Sequence, residues 1–531
     1  MCKHYKTIIM KFKTIYFIAA AFMIIVAASS CKKDLANANI NPNAITSENY
    51  DPNLLLTTVQ LAYGNFTEFG GSTWATKWGA AGCFIQHVAS TNPGFYYGDK
   101  YLNNIGGMGE MFQEAYTADV QPVVELYILT QNKPQYKNLH QMSRIMKALV
   151  FEQITDQYGD IPYSQAGLGY YERIYTPKYD TQQSIYTDLL KEVSQATDSL
   201  DENADKPTGD ILYLTANDQI AEWKKFGNSI LLRMAMRLTK VDPATAQSWV
   251  TKVIGKTMQS NDDNAIVQHV QTANALTSNQ DAVQIYGNDS VDLRLSDTIV
   301  RYMQIRSDPR LPVIAMIKTK KIRDIKAADQ QGLNPGYIIG GNNPAINLTL
   351  RGDYPALGLY GYSRLNDNIL SITAPTLIMT YAETELLLAD AAVRFHTAGD
   401  PATLYKAGVT AAITQLSAYG SASTISSSTA SDYLTANPYV AADGLEQINT
   451  QYWLCTLMDE YEAWSNFRRT GYPNLTPTNY PGNVTNGTIP RRLTYPPSQK
   501  TSNLANYNAA VARLSGGDKM TSRVWWDVAS N

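Results

Sequence analysis

The sequence predicts a mainly α fold carrying irregular loop insertions, and three observations lead there. Met142 to Ala166 reads MSRIMKALVFEQITDQYGDIPYSQA, with apolar residues at Met142, Ile145, Met146, Leu149, Val150 and Ile154, the spacing of a helix and not of a strand. The same period recurs from Thr181 to Leu200, Glu222 to Leu238, Thr373 to Phe395 and Pro401 to Tyr419. Between them, Asn261 to Ile372 has no sustained period and holds Pro309, Pro312, Pro335, Pro344 and Pro355. A stretch of that length without regular structure inside a compact domain is usually functional.

The first thirty residues set the address. Lys3, Lys6, Lys11 and Lys13 precede an apolar run from Ile15 to Val26, then Ala27, Ala28, Ser29 and Ser30, and then Cys31. Basic, apolar and small in that order is a secretory signal peptide. The apolar run is shorter than the roughly 20 residues of a membrane-spanning helix. A Cys at the first position after the small residues is similar to a bacterial lipoprotein signal, so residues 1–30 are expected to leave and Cys31 to carry lipid. That anchors the protein without spanning the membrane. Losing four lysines from 44 basic residues against 47 acidic leaves a net charge near −7. No basic run remains, which argues against nucleic acid. Cys83 and Cys455 then stand alone, and two buried free thiols are preferred to a disulfide.

Along the mature chain, Asn41-Pro42-Asn43 and Asp51-Pro52-Asn53 mark turns, and Leu54 to Tyr63 is the first helix. Phe66 to Tyr101 mixes Gly, Thr and Asn with rings, and NPGFYYGDKY within it is expected to leave rings exposed. Glu110 to Leu129 is helical again. The central helix follows Pro134; Gly159 closes it and Pro162 forbids its resumption. A helix from Thr245 to Ile254 follows the Asp242-Pro243 turn, Pro375 sits near a helix start, and Ser421 to Ser431 reads as a mobile loop. Glu383 and Glu385, on an apolar segment, are expected to pair with Arg between packed helices.

Chemistry is sparse. There is no HExxH, paired CxxC or GxSxG, so no metal, cofactor or catalytic group is expected and the chain reads as a non-enzyme. Gly107-Met108-Gly109 lacks the third Gly of a dinucleotide loop, where Phe112 stands. Asn261 to Asn264 lacks the spacing of a Ca²⁺ loop. Arg351-Gly352-Asp353 reads as a turn tripeptide. The 35 Tyr against 12 Phe suit a wet surface that must still bind.

Several segments together carry a resemblance. QYGDIPYSQA at the end of the central helix, WKKFGNSILLRMAMRL, APTLIMTYAETELLLADAAVRF, EYEAWSNFRRTGYP, and Ile489-Pro490-Arg491-Arg492 with Leu493-Thr494-Tyr495-Pro496 and Trp525-Trp526-Asp527 resemble the SusD/RagB family of nutrient-binding outer-membrane lipoproteins. Gln499 departs from the family pattern, which usually has Glu there. The resemblance implies tetratricopeptide-like stacked helical pairs with irregular loop insertions over residues 31–531. It also implies capture of a nutrient, an oligosaccharide first and a peptide second, for a SusC-type TonB-dependent transporter in the outer membrane. A surface glycosidase is the rival of another class. Loops in such a scaffold are free to face ligand. The residues expected to bind are therefore Trp74, Tyr96, Tyr97 and Tyr101, with Tyr337, Tyr360 and Arg364 behind them.

Overall fold

Capping chemistry marks where the helices begin. A computed structural model describes residues 50–65, 72–271, 277–288 and 291–529. The signal-like segment and Cys31 lie outside these. Helices α1 (Asn53–Asn65), α2 (Ile105–Glu114), α3 (Gln121–Thr130) and α4 (Lys137–Tyr158) lead into α5 (Gln182–Ser199), α6 (Gln219–Arg237) and α7 (Pro243–Val253). Thr181, Asp218 and Asp242 each take a backbone N–H of the first turn of α5, α6 and α7. Gly159 ends α4 at φ 85°, a conformation that L side chains resist. Helix α8 (Asp297–Ile305) belongs to the insertion. Helices α9 (Tyr381–Phe395), α10 (Pro401–Thr414), α11 (Ser427–Ala436), α12 (Gly444–Cys455), α13 (Glu460–Thr470) and α14 (Leu504–Arg513) complete the set used below.

Sequence neighbours are also spatial neighbours. Helix α3 packs on α4, α4 on α5, α5 on α6 and α6 on α7; then α9 packs on α10 and α12, and α12 on α13. This is the stacked-pair arrangement that the family resemblance implies. The irregular stretch leaves and returns at one point: β4 (Ala265–Val267) pairs antiparallel with β9 (Thr376–Met379). Everything between them is an excursion from the stack. Of its strands, β5 (Leu293–Leu295) pairs antiparallel with β1 (Val88–Ser90), while β6 (Ala315–Lys318) lies between β7 (Arg323–Asp324) and β8 (Arg364–Leu365).

The recurrent segments meet in one buried ionic core. Glu152 and Asp156 are one turn apart on α4 and face Arg233 and Arg237, one turn apart on α6. Arg233 reaches Glu152 at 2.7 Å and Arg237 reaches Asp156 at 2.9 Å. Arg237 also bonds Glu462 of α13. Asp156 accepts from the Trp526 indole at 2.8 Å. The Arg468 guanidinium lies 4.0 Å from the Trp464 ring and 4.9 Å from that of Trp526, and donates to the Asp156 carbonyl at 2.6 Å. Arg469 reaches Asp390 of α9 at 2.9 Å. Burial works against ionising Asp390, but Arg469 and Arg394 overcome it and hold the carboxyl at about 2. Planar Arg forks suit such sites because each can satisfy several buried acceptors at once.

Four expectations need correction. Glu383 does not pair with Arg: it forms a capping box with Thr380, accepting from the Thr380 backbone N–H at 3.1 Å while Thr380 caps α9. Glu385 makes no ion pair among the described residues. Pro375 precedes β9 and not the helix, which starts only at Tyr381. Ser421 to Ser431 is not loop throughout, since Ser426 caps α11 and residues from Ser427 are helical. Cys83 and Cys455 are free thiols, with Cys83 buried and Cys455 half-buried.

Glu383 provides a pH test. Burial pushes its carboxyl up to about 8, well above the value of about 4.3 in an unfolded chain. Between these values the folded state keeps a proton that the unfolded state has lost, so this group's stabilisation is present at low pH and declines as pH rises. Glu383→Gln keeps the shape without the titration. Relative to wild type it should be more stable at pH 8 than at pH 5. Urea melts giving the same difference at both values would show that Glu383 does not titrate in this window.

Candidate functional site

The turn at Asn92 decides which rings face out. The Asn92 side chain accepts from the backbone N–H of Gly94 at 3.1 Å and of Phe95 at 3.4 Å, and its carbonyl accepts from Tyr96 N–H at 3.1 Å. The chain reverses there, and Phe95 projects from the tip at 50 % exposure. Three residues later Gly98 is pressed onto the π-helical segment Thr73–Gly82; a Cβ on it would lie 2.6 Å from the Gly79 carbonyl oxygen. That clamp drives the neighbouring rings inward. Tyr96, Tyr97 and Tyr101 are 0, 1 and 1 % exposed and belong to the main core, so the expectation that they stack on ligand is corrected. Tyr101 accepts the Thr478 backbone N–H at 3.2 Å, which ties the segment to the loop after α13.

Trp74 lies on the same π-helical segment, half-buried, with its ring 5.4 Å from Phe95 in an edge-to-face arrangement. Its segment is held from beneath. Asp281 accepts from Lys77 at 2.7 Å with one oxygen and from the Trp78 indole at 2.7 Å with the other.

The second aromatic stretch lies against the first. Asp99 accepts from the backbone N–H of Gly336 at 3.0 Å. Across β1 and β5 the backbone continues the stitching: Leu295 N–H donates to Ser363 at 2.9 Å and Leu333 N–H donates to Leu295 at 2.8 Å. Ala89, Leu333, Leu348 and Tyr362 form a small core beneath this surface, with Tyr337, Tyr354 and Leu359 packed at its margin. Tyr360 is 47 % exposed next to Leu359, whose carbonyl Arg294 holds at 3.0 Å. Tyr337 is half-buried, and its hydroxyl accepts from Arg351 at 2.8 Å. Arg351 in turn grips Asp353 with two bonds at 2.8 and 2.7 Å. Arg364, half-buried in β8, bonds Asp367 at 2.7 Å.

The two stretches together carry the rings Trp74, Phe95, Tyr337, Tyr354 and Tyr360, and polar groups at Arg351, Asp353 and Asn92, the last donating to Asp292 at 2.9 Å. Rings offer apolar flat surface, and the carboxylates and guanidinium offer directional bonds, as a polyhydroxylated ligand with C–H faces requires. The sequence reading passed over Phe95 and Arg351. The Asn-Pro-Gly turn before Phe95 was the signal for the first. Elsewhere, a cavity of about 50 Å³ beneath α9 and α10 is lined by Glu383, Arg310 and Gln415. It has room for about three waters and not for a sugar ring. No cluster of His, Cys, Asp and Glu able to hold a metal occurs among the described residues.

The burial of the tyrosines has a testable result. Tyr97→Ala should lower stability by about 3–5 kcal/mol, as for other large buried rings, and leave ligand affinity of the folded fraction unchanged. An unchanged denaturation midpoint with lost affinity would restore Tyr97 to the binding face.

Residues 42–496 match the family model described as SusD-like, starch-binding and associating with the outer membrane, and the chain belongs to this family. It is similar to a solved chitin-binding protein at 32 % identity, covering 90 % of this chain and 100 % of that one, with a TM-score of 0.79. A Bacteroidetes SusD-like structure is 25 % identical over 90 % of this chain and 100 % of its own, with a TM-score of 0.78. A SusD homologue from Bacteroides uniformis is 24 % identical over the same shares, with a TM-score of 0.73, and so matches in fold. Comparison with curated proteins found no match. No helix among the described residues is long and apolar enough to cross a membrane.

Proposed function

We propose that this protein is a cell-surface lipoprotein that captures an oligosaccharide of the chitin type and delivers it to a SusC-type TonB-dependent outer-membrane transporter. The observation that carries the reading is the loop face, where Trp74, Phe95, Tyr337 and Tyr360 stand among hydrogen-bonding side chains on a scaffold whose 32 % identical relative is named chitin-binding. The N-acetyl group adds an amide and a methyl to each sugar, which a face mixing rings with Asn and Arg can address. Residues 1–30 serve as the signal peptide and 31–531 as the mature chain. The protein works as a binder without catalysis or cofactor.

A glycan array followed by calorimetry, using residues 32–531, tests the ligand. N-acetylglucosamine oligomers should bind with affinity rising with length. Failure to bind any glycan, with binding of peptides instead, would sink the sugar reading. The anchor is tested separately: Cys31→Ser should move the protein out of the membrane fraction. Continued sedimentation with outer membranes after a carbonate wash would place the anchor elsewhere.

A further inference from the structure

A second set of exposed rings lies on a different loop and shares no residue with the face above. Between β2 (Ile161–Pro162) and β3 (Tyr179–Asp180), Tyr170 is 88 %, Tyr171 37 % and Tyr175 77 % exposed. Rings so open to water on a loosely held loop would carry little meaning, but this loop is pinned. Gly167, at φ 75°, packs on Val124 of α3, where a Cβ would sit 2.9 Å from the Val124 side chain. Arg173 turns the chain at φ 58° and Glu172 N–H donates to Leu168 at 2.8 Å. From α14 and its cap, Asn503 donates to the Pro177 carbonyl at 2.8 Å and Asn506 to that of Thr176 at 3.1 Å. Tyr170 and Tyr171 stand edge to face at 5.2 Å, and the Tyr175 ring lies against the open backbone of Gly169.

The company these rings keep selects the occupant. Glu172, Arg173 and Lys178 are exposed among them, while the aliphatic neighbours Leu168 and Ile174 are partly covered. Tyr and Arg are common at protein–protein interfaces, but Glu and Lys are depleted at their cores, and Glu172 and Lys178 stand exposed among these rings. Charges of both signs also give no field for an anionic lipid surface. Flat rings with hydrogen-bonding groups between them suit pyranose rings.

We propose that Tyr170, Tyr171 and Tyr175 form a second carbohydrate platform, which engages a distant part of a long polysaccharide whose end or segment occupies the first face. This rests on the reading of the ligand as a chitin-type glycan. Two linked contacts on one polymer raise its retention without changing the affinity of a short oligomer that reaches only one.

The test compares wild type with Tyr170→Ala/Tyr175→Ala, both as residues 32–531, a span that contains the whole compact unit Pro52–Asn531. Calorimetry uses the N-acetylglucosamine hexamer, and native gels cast with glycol chitin measure retardation by polymer. Both substituted side chains are exposed, so the melting temperature should not move. The expected result is equal hexamer affinity and retardation weakened by about tenfold in polymer concentration. Retardation equal to wild type, with hexamer binding intact, overturns the platform and leaves the first site standing. Lost association with an outer-membrane channel at unchanged retardation also overturns it, and assigns the loop to a protein contact. Wild type that binds neither hexamer nor polymer overturns the chitin reading itself, and the platform with it.

Discussion

Arg237→Ala is expected to destabilise the protein by about 3–5 kcal/mol, the cost of removing one partner from a buried ionic group. Arg237 is 1 % exposed and serves two carboxylates, Asp156 at 2.9 Å and Glu462. Its loss leaves Asp156 with only neutral donors such as the Trp526 indole, and Glu462 with the more distant Arg233 at 3.7 Å. In the native protein burial raises Glu462, but Arg237 and Arg233 outweigh burial and hold it below the usual carboxylate value. Without Arg237 the Glu462 carboxyl loses the first of its charge partners and is expected to titrate higher than in wild type. Stability of the variant should then recover as pH falls and worsen as it rises. Urea titrations at pH 5 and pH 8 read this directly, and adding Glu462→Gln should recover part of the loss through coupling within the network. A loss below about 1 kcal/mol at pH 8 would mean that the network is only an alternative to apolar packing already present.

Trp74→Ala and Phe95→Ala are expected to weaken oligosaccharide binding by at least about 2 kcal/mol each, near thirtyfold, if each ring is a central contact. The pair touch edge to face at 5.4 Å, so each also orients the other. Their effects should not add, and the double variant should lose less than the sum. Phe95 is half open to water, so its removal should leave the melting temperature in place, in contrast with Tyr97. Calorimetry with unchanged affinity for both single variants would remove this face from consideration.

How much of this was legible in the residues differs by element. Helices α4, α5 and α6 could be read because a 3.6-residue apolar period runs the length of each, although the Asp218 cap starts α6 three residues before the Glu222 read from that period. Glu383 was misread because its neighbours are apolar, as those of an ion-paired acid would be. Only Thr380 three residues earlier reveals the capping box, and that needs the helix boundary. The π-helical segment around Trp74 has an extra residue per turn, which no apolar period announces. The tyrosines failed for a tertiary reason. The turn residues correctly said that NPGFYYGDKY reverses direction, but which rings point inward depends on Gly98 meeting the backbone of Gly79. No local pattern encodes that contact.

The stitching of the loop face has a consequence for descent and for redesign. Residues near 88–101, 292–297 and 331–364 are sewn together through Leu295, Leu333, Ser363, Asp99 and Gly336, largely main chain to main chain. Such seams tolerate almost any side chain, so neighbouring rings can be exchanged one at a time while the sheet-like frame survives. Yet no single excursion carries the whole surface. A chimera that imports only one of the three from a relative breaks the seam at its two junctions, so the three must move together to keep the frame.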